Sequence, residues 1–396
     1  MTSRDRRAAT LVRLLLALTI APIAWPYSAL ADLMIVGNDE KVVFDAEGNR
    51  AFVAPGKDTI SVVDITNREA PKILISFPLM NSIFGPPVNL AITADERLAI
   101  VANSVDWIQD GTSWKPQPDT KLYVFNLKTN PPSQIGTVEV GKQPSGLAIN
   151  RAGTLALVAN RADKSISVLS LNGNDVKLVD TVAMGDEVAS VAFTPDGKRA
   201  LATKFAAHKI ALLTIEGQKV TNAKHDMPVG LWPYNIDVTP DGRLALTADN
   251  GNAGGSDGLV DTVSVIDLEA SPPRVIDRVV VGDAPEGFAI SPTGEIAVAI
   301  LLNGSAGVAK NAWFANKAGK VVVLKIDGKK VTKVGEVEVG GLPEGVVFSP
   351  DGKYLYVGNY TDRDVSILKV DGAKVTDTGK RLSLPGQPAS MRGAAH

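Results

Sequence analysis

The chain has 396 residues, with 41 basic and 43 acidic side chains, three histidines and no cysteine. The lack of cysteine excludes disulfides, thiolate nucleophiles and cysteine-ligated metals, and three histidines are too few for a metal site built on several imidazoles. A near-balanced charge without a long basic block argues against nucleic-acid binding through phosphate neutralisation.

The first 31 residues have the pattern of an export signal. Arginines at positions 4, 6, 7 and 13 precede an apolar stretch from Leu14 to Trp25, and Ala29-Leu30-Ala31 is a small-x-small cleavage site. The apolar stretch is shorter than the ~20 residues that span a bilayer, which favours cleavage over a retained anchor. We therefore predict a periplasmic or secreted protein that begins at Asp32, with no membrane span after signal removal.

One pattern of short, alternating strands recurs along the rest of the chain. Its first turn can be placed at seven positions, which are Gly48, Glu96, Gly153, Gly197, Gly242, Gly294 and Gly352. The steps between these turns fit a unit of about 45 residues with insertions, as in propeller blades. A lone four-stranded sheet cannot bury both faces, whereas sheets stacked around an axis bury them against one another. The sequence predicts an all-β fold, a single seven-bladed β-propeller of four-stranded antiparallel blades over residues 32–396.

How the ring closes is open at this point. The seventh unit already holds four predicted strands, the last ending near Leu382-Ser383-Leu384. Leu33-Met34-Ile35-Val36 also has the pattern of a strand. We expect this segment either to pair with the seventh blade or to displace the C-terminal strand.

The repeat resembles a known group of propellers. The segments that carry the resemblance are Tyr356-Val357-Gly358-Asn359, Leu157-Val158-Ala159-Asn160, Ile100-Val101-Ala102-Asn103 and Thr262-Val263-Ser264-Val265-Ile266-Asp267, with Ser/Thr-Pro-Asp-Gly turns. They resemble the Tyr-Val-Thr-Asn (YVTN) repeat of lactonase-like and surface-layer-type seven-bladed propellers, and also the heavy subunit of methylamine dehydrogenase. The resemblance implies the fold more strongly than a function. Pro55, Lys204, Asp249 and Leu301 stand where the repeat has Asn.

Three connections between the second and third strands of a blade are long: residues 104–120 in blade two, 250–261 in blade five and 302–319 in blade six. Long loops on a rigid scaffold are where binding sites are usually built. We expect these loops to reach one channel mouth from opposite sides and to bind a partner protein or a small ligand. The predicted binding residues are Trp107, Trp114, Trp232, Tyr234, Trp313 and Phe314, with the strand-end residues Asn103, Asn160, Lys204, Asp249 and Asn359.

The channel mouth is the second candidate. Aligning the residues near each Gly-x-x-Pro element brings Glu40, Asn89, Tyr234, Asn235, Glu286 and Glu344 to one level. The carboxylates and amides of Glu40, Asn89, Asn235, Glu286 and Glu344 are ligands that suit Ca²⁺. The favoured alternative is a hydrated polar rim without a metal. We therefore expect that the protein has no cofactor, and a calcium ion is the second choice.

Three functions follow as hypotheses. The main one is a binding or scaffold protein. The second is a lactonase-type hydrolase or lactonising enzyme, with His208, Glu286 or Glu344 in proton transfer. The third is an accessory subunit of a periplasmic redox enzyme, whose cofactor chemistry a partner would have to supply. The sequence contains no Gly-x-Ser-x-Gly nucleophile elbow.

Overall fold

A computed structural model describes residues 32–45 and 47–394. The predicted export signal lies outside the described residues. Within those ranges the chain forms 32 β-strands and no α-helix, and hence no helix that could cross a bilayer. The first sixteen strands are β1 (Leu33–Asn38), β2 (Val42–Phe44), β3 (Arg50–Phe52), β4 (Thr59–Asp64), β5 (Lys72–Pro78), β6 (Leu90–Ile92), β7 (Leu98–Ala102), β8 (Val105–Asp110), β9 (Ser113–Pro118), β10 (Lys121–Asn126), β11 (Ser133–Glu139), β12 (Pro144–Ile149), β13 (Leu155–Asn160), β14 (Ser165–Asn172), β15 (Asp175–Ala183) and β16 (Val188–Phe193). The remaining strands are β17 (Arg199–Lys204), β18 (Lys209–Glu216), β19 (Lys219–Pro228), β20 (Pro233–Val238), β21 (Leu244–Asp249), β22 (Asp261–Asp267), β23 (Arg274–Gly282), β24 (Pro285–Ile290), β25 (Ile296–Leu301), β26 (Lys320–Asp327), β27 (Lys330–Glu338), β28 (Pro343–Phe348), β29 (Tyr354–Asn359), β30 (Asp364–Asp371), β31 (Lys374–Ser383) and β32 (Pro388–Gly393).

The strands form seven four-stranded antiparallel sheets, which are the blades of a seven-bladed β-propeller and confirm the predicted fold. From the channel outward, blade one is β32-β1-β4-β5 and blade two is β6-β7-β10-β11. Blades three to seven take four consecutive strands each, from β12 to β31. The innermost strands of neighbouring blades contact one another around the whole ring.

Apolar side chains fill the spaces between blades. One buried cluster joins Leu157 and Val168 of blade three to Val191 and Leu213 of blade four. Equivalent clusters join the other neighbouring pairs, including blade seven to blade one through Tyr356 and Met391. The outermost strands are half exposed and alternate between apolar and polar positions. Each blade therefore buries both faces only because its neighbours cover them.

Both expectations about ring closure are wrong. Strand β1 pairs with β32 on one side and with β4 on the other, so the last strand of the chain is the innermost strand of the first blade. Blade seven keeps its own four strands, as predicted. Met391 of β32 packs against Gly345 and Gly358 of blade seven, where a Cβ would lie 2.5 Å and 2.7 Å from its side chain. The two ends of the chain thus meet in one blade and close the ring.

The predicted register of the first blade is also wrong. Gly48 is the turn of a separate hairpin, β2–β3, which is inserted between the second and third strands of blade one. The Asn of the repeat is Asn38, at the end of β1, and not the position of Pro55. The sequence of this hairpin resembles the first two strands of a repeat unit. The repeat period and the turn residues alone therefore assigned it to the wrong strands.

Candidate functional site

The inner strands β20, β24 and β28 begin with a proline that pairs with the last residue of the neighbouring strand. A β-bulge follows each proline and re-aims the next side chain. These side chains are Tyr234, Glu286 and Glu344, and they are 5%, 4% and 2% exposed. The equivalent position in three consecutive blades therefore places a phenol and two carboxyls side by side at one end of the channel.

Glu286 and Glu344 form a carboxyl pair. Their side chains lie next to each other, close enough for one carboxyl to donate a hydrogen bond to the other. Burial raises the pKa of Glu286 to about 7, and the bond from Glu344 and the charge of Arg161 oppose that rise. Burial and the negative charge of Glu286 raise the pKa of Glu344 well above its usual range. Two carboxyls in such a place share one proton, with Glu344 donating it to Glu286.

Two further groups border the pair. Arg161 stacks on Phe205, with its guanidinium carbon 4.3 Å from the ring centroid, and its Nε lies 3.6 Å from Oε2 of Glu187. Burial and the charge of Glu286 raise the pKa of Tyr234. Oε2 of Glu344 is buried and accepts no hydrogen bond from an amide, hydroxyl or cationic group of the described residues. The neighbouring carboxyl of Glu286 is therefore the partner with which Glu344 can share a proton.

A cavity of about 610 Å³ lies at this mouth. Its polar lining includes Arg50, Arg161, Tyr234, Glu286 and Glu344. Its apolar lining is Val42, Phe44, Ile83, Phe84, Leu302, Ala306 and Leu342. The cavity has the size of a small-molecule site, and its lining combines an apolar side with a larger polar share that includes charged side chains. The cavity at the opposite mouth is smaller, about 210 Å³.

Four chain segments line the large cavity: hairpin β2–β3 and residues 79–89, 250–260 and 302–319. Hairpin β8–β9 packs against them through a shared apolar cluster. We call these five segments together the cap. The blade-six segment reaches blade one, because the Lys310 amide donates to the Glu47 carbonyl at 3.3 Å. A Cβ on Gly307 would lie 3.4 Å from the Phe44 ring. The blade-six segment thus meets the hairpin of blade one, which sequence analysis missed. Its Leu302 and Ala306 also share an apolar cluster with Trp107 of blade two.

The cap has a small core of its own. Trp107 is 6% exposed, and its ring centroid lies 4.9 Å from Phe52 and 5.8 Å from Phe84. The Tyr360 hydroxyl donates to the Val42 carbonyl at 2.9 Å and ties the cap to blade seven. Lys41 is fully buried and forms ion pairs with Asp39 and Asp58. These contacts hold the cap in a defined position over the cavity.

The glycine-rich part of blade five forms one wall. The Gly254 amide donates to Oδ1 of Asn250, and a Cβ on Gly254 would lie 3.6 Å from Oε1 of Glu286. The Asn250 side-chain amide donates to the same Glu286 oxygen at 3.4 Å. Gly254 has a φ of +95°, which favours glycine. The backbone of Gly254 therefore runs beside the carboxyl pair, and it is the positive φ rather than lack of space that favours glycine here.

The predicted aromatic residues fall into different surroundings. Trp107 belongs to the cap core and Trp114 packs at its edge. Trp232 contacts Phe205 and His208, with ring centroids 4.9 Å and 5.0 Å away. Trp313 is 79% exposed and touches only Phe314 among aromatic rings of the described residues. Of the six aromatic residues predicted to bind, only Tyr234 lines the cavity.

The strand-end residues serve their own blades. Asn103 donates to Asp106 and Asp119, Asn160 donates to Ser165 and Ser167, and Asn359 donates to Asp364 and Ser366. Lys204 pairs with Asp226 at 2.7 Å, and Asp249 accepts from Thr262 and Ser264. The partners of Asn103 lie in the blade-two insertion. The other bonds fix the second strand of a blade to its third or fourth strand, so all five side chains are occupied within the scaffold.

Of the predicted metal ligands, only Glu286 and Glu344 come together. Glu40 lies between blades one and seven, where it pairs with Arg363 at 2.8 Å. Asn89 donates to the Ala102 carbonyl and Asn235 donates to the Phe288 carbonyl. The described residues contain no group of three or more acidic or histidine side chains placed to hold a metal. The donor set at this mouth fits a shared proton better than a cation.

His208 lies outside the cavity. Its Nδ1 accepts a hydrogen bond from the Trp232 amide at 3.0 Å, which joins blade four to the next connection. Sequence reasoning missed Arg161 and Arg50, which do line the cavity. Arg161 follows the strand-end Asn160 directly, so its place at the mouth could have been read from the repeat. Arg50 could not, because the hairpin that carries it was assigned to the wrong element.

Comparison with known proteins supports the fold. No family model matches the chain, and no curated protein matches it. Among solved structures, a putative 6-phosphogluconolactonase from Bacteroides fragilis is 19% identical, with a TM-score of 0.67 over 93% of this chain and 99% of that one. The periplasmic gluconolactonase of Pseudomonas aeruginosa is 18% identical, with a TM-score of 0.65 over 92% and 99%.

Hydrazine synthase of Kuenenia stuttgartiensis shares the architecture too, at 18% identity and a TM-score of 0.60 over 79% of this chain and 90% of that one. At such identities the similarity establishes the fold alone, and these neighbours have different named activities. The YVTN-repeat assignment stays a prediction. This chain is a seven-bladed β-propeller similar in fold to lactonase-like propellers.

Proposed function

We propose that this protein binds a small polar molecule in the capped cavity, and that the carboxyl pair Glu286–Glu344 forms its main recognition group. The observation that carries the proposal is two buried carboxyls placed side by side at the wall of a cavity of about 610 Å³. Buried carboxyls are expensive to keep in a scaffold, because desolvation opposes their charge. Strongly shifted carboxyls in a cleft are typical of functional sites.

The lining suits a hydroxyl-rich molecule of sugar size. Glu286, Glu344 and Arg161 line the cavity, so the carboxyl pair can accept hydrogen bonds from hydroxyl groups and Arg161 can donate them. Phe44 and Phe84 offer apolar faces on the cap side. Such a division into a polar wall and an aromatic wall matches a ring with one polar edge and one apolar face.

Calorimetric titration with glucono-lactone and with gluconate tests the binding. We expect Glu344→Gln and Glu286→Gln each to weaken binding by about tenfold or more, as loss of a buried charge-assisted hydrogen bond does. Glu295→Gln, an exposed carboxyl on the opposite rim of the same blade as Glu286, is the matched control. Equal affinity in all three variants would show that the carboxyl pair does not take part in binding.

Hydrolysis of a lactone is the second candidate. The observation that favours it is the pKa of Glu286, raised to about 7, beside a protonated Glu344. The ionised Glu286 would take a proton from water, and the water oxygen would bond to the lactone carbonyl carbon. The ring C–O bond would break, and its oxygen would take the proton of Glu344, giving the hydroxy acid. Arg161 would stabilise the charge on the carbonyl oxygen.

The rate of ring opening of glucono-lactone, measured by pH-stat titration and compared with the uncatalysed rate, separates the two candidates. Hydrolysis predicts turnover that Glu286→Gln abolishes and Glu295→Gln leaves intact. Binding without turnover supports the first candidate alone. The two bacterial lactonases that share the fold are the reason for choosing this substrate.

Export to the periplasm or out of the cell belongs to the same proposal, supported by the N-terminal pattern and by the periplasmic gluconolactonase of similar fold. Capture of a partner protein by the loops, and service to a redox enzyme, remain predictions of the sequence. Trp107 and Trp114 pack within the cap, so a protein partner would meet Trp313 before any other tryptophan of blades two and six.

A further inference from the structure

The four most exposed large apolar side chains of the described residues lie at one corner of the capped rim. They are Leu231, Leu259, Val260 and Trp313, with exposed fractions of 56%, 63%, 70% and 79%. Every other large apolar side chain described as exposed reaches 54% or less. An exposed apolar group of this kind marks an interaction surface more often than a chance feature.

Contacts between neighbouring segments bring the positions of these four side chains together, and we call the four residues the rim patch. The Gly251 amide donates to the Leu231 carbonyl at 3.0 Å, which joins the blade-five segment to the preceding connection. Gly258, next to Leu259, packs so closely on Trp313 that an added Cβ would lie 2.7 Å from its Cζ2. The connections of blades four, five and six therefore present the rim patch together.

Carboxylates flank the blade-five side of the rim patch. Asp257 and Asp261 border Leu259 and Val260 in the chain, and Oδ1 of Asp283 accepts from the Asp257 and Gly258 amides. Burial and the charges of Asp257 and Asp283 raise the pKa of Asp261 to about 6. None of the three forms an ion pair with a described Lys or Arg side chain. This side of the rim patch lacks a counter-charge of its own.

Two lysines flank the other side. Lys310 and Lys317 lie on the blade-six segment before and after Trp313, are exposed, and form no ion pair with the described residues. The Lys310 backbone is tied to the blade-one hairpin, and the Lys317 carbonyl lies beside Gly341 of the connection to blade seven. Both anchor points lie away from blade five, so the backbone that carries the lysines and the backbone that carries the carboxylates run on different sides of Trp313.

We propose that the rim patch is the contact between two copies of this chain, paired about a two-fold axis near Trp313. A two-fold contact brings the same patch together from both copies. The axis sets the acidic side of one copy against the lysine side of the other, and Trp313 against apolar side chains. Any other partner would need to supply this same combination, whereas a second copy already carries it.

The dimer is weak. Stable interfaces bury about 800 Å² on each partner, and four side chains supply part of that area, with a central tryptophan as the main contributor. We expect association in the micromolar range and a strong dependence on salt, because opposed surface charges are screened. The proposal goes beyond the ligand site and does not depend on it.

Sedimentation velocity of the purified protein, over concentrations from micromolar to millimolar, tests this proposal. The N terminus of the sample is first determined by mass spectrometry, because a retained apolar leader would associate by itself. We expect a monomer–dimer equilibrium that weakens at high salt. Trp313→Ser combined with Leu259→Ser should weaken the dimer at least tenfold, and Lys310→Glu combined with Lys317→Glu should do the same.

Leu74→Ser and Lys374→Glu are matched controls on outer strands, and both should dimerise like the unchanged protein. Circular dichroism of every variant checks that the propeller remains folded. A protein that stays monomeric at all concentrations overturns the proposal. So does a dimer that the patch variants leave unchanged, because it would use another surface.

Discussion

The side chain at the end of the second strand of a blade forms hydrogen bonds to the third strand. Asn38, Asn160 and Asn359 each donate to hydroxyl or carboxyl oxygens of the third strand of their blade. Asp249 takes the same position in blade five but only accepts, from Thr262 and Ser264. Burial raises its pKa from 3.8 to about 7, and these hydrogen bonds oppose the rise. A carboxyl at this buried position is therefore costly to ionise, whereas the amide that other blades carry there has no such cost.

Asp249→Asn should stabilise the protein at pH 8. The folded-state pKa lies above the unfolded one, so the folded form loses stability as pH rises from about 4 to 7. The loss is at most ~4 kcal/mol, from the size of the pKa shift. An amide avoids it, and thermal unfolding should show a midpoint several degrees higher at pH 8 with little difference near pH 4. Asp327→Asn on the blade-six surface is the control, and an equal gain there would contradict the explanation.

At the scale of secondary-structure elements, the inserted loops and hairpins are the main departure of this chain from a regular repeat. Sequence alone located the long loops of blades two, five and six, because their length departs from a regular repeat. It could not show that Trp107 packs inward, since an aromatic side chain in a loop can equally cover its own segment or face solvent. Nor could it place Arg50 or Phe84 over the channel mouth, because contacts between cap segments distant in the chain have no local signature.

Trp107→Ala should loosen the cap while leaving the blades intact. The ring packs on Phe52 and Phe84, and removing a buried aromatic side chain costs about 3 kcal/mol. We expect amide hydrogen exchange to rise about tenfold or more in strands β2, β3, β8 and β9, with the inner strands unchanged. Leu74→Ala, at a 50% exposed position on the outer strand β5, is the control. Uniform exchange across the ring would show that the cap and blades unfold as one unit.

At the scale of the whole molecule, the main feature is closure of the ring by strands from the two ends of the chain. The period, the turns and the alternation predicted seven blades, because each blade repeats the same local pattern. The chain order of the closing blade was not predictable from that pattern, since it depends on pairing between residues more than three hundred positions apart, as in Val36 with Met391. One signal was present: Leu33-Met34-Ile35-Val36-Gly37-Asn38 parallels Tyr354-Leu355-Tyr356-Val357-Gly358-Asn359.

Removing residues 386–396 should open the ring. Strand β32 fills the innermost position of blade one and covers apolar side chains of blade seven. Without it, Tyr356 and Val347 lose their cover, and the cost of exposing them comes to several kcal/mol. We expect a protein that aggregates or is rapidly cleaved in limited proteolysis. Removing only the last two residues should leave a protease-resistant ring, and equal resistance of both truncations would contradict the closure described here.

The carboxyl pair is the centre of this account. Carbon-13 NMR of glutamate side-chain carboxyls, assigned with Glu286→Gln and Glu344→Gln, follows their protonation directly. We predict that one carboxyl titrates near pH 7 and that the other remains protonated above that pH. If both carboxyls lose their protons near pH 4.5, as exposed glutamates do, then no proton is shared at the capped mouth and the proposed site is wrong.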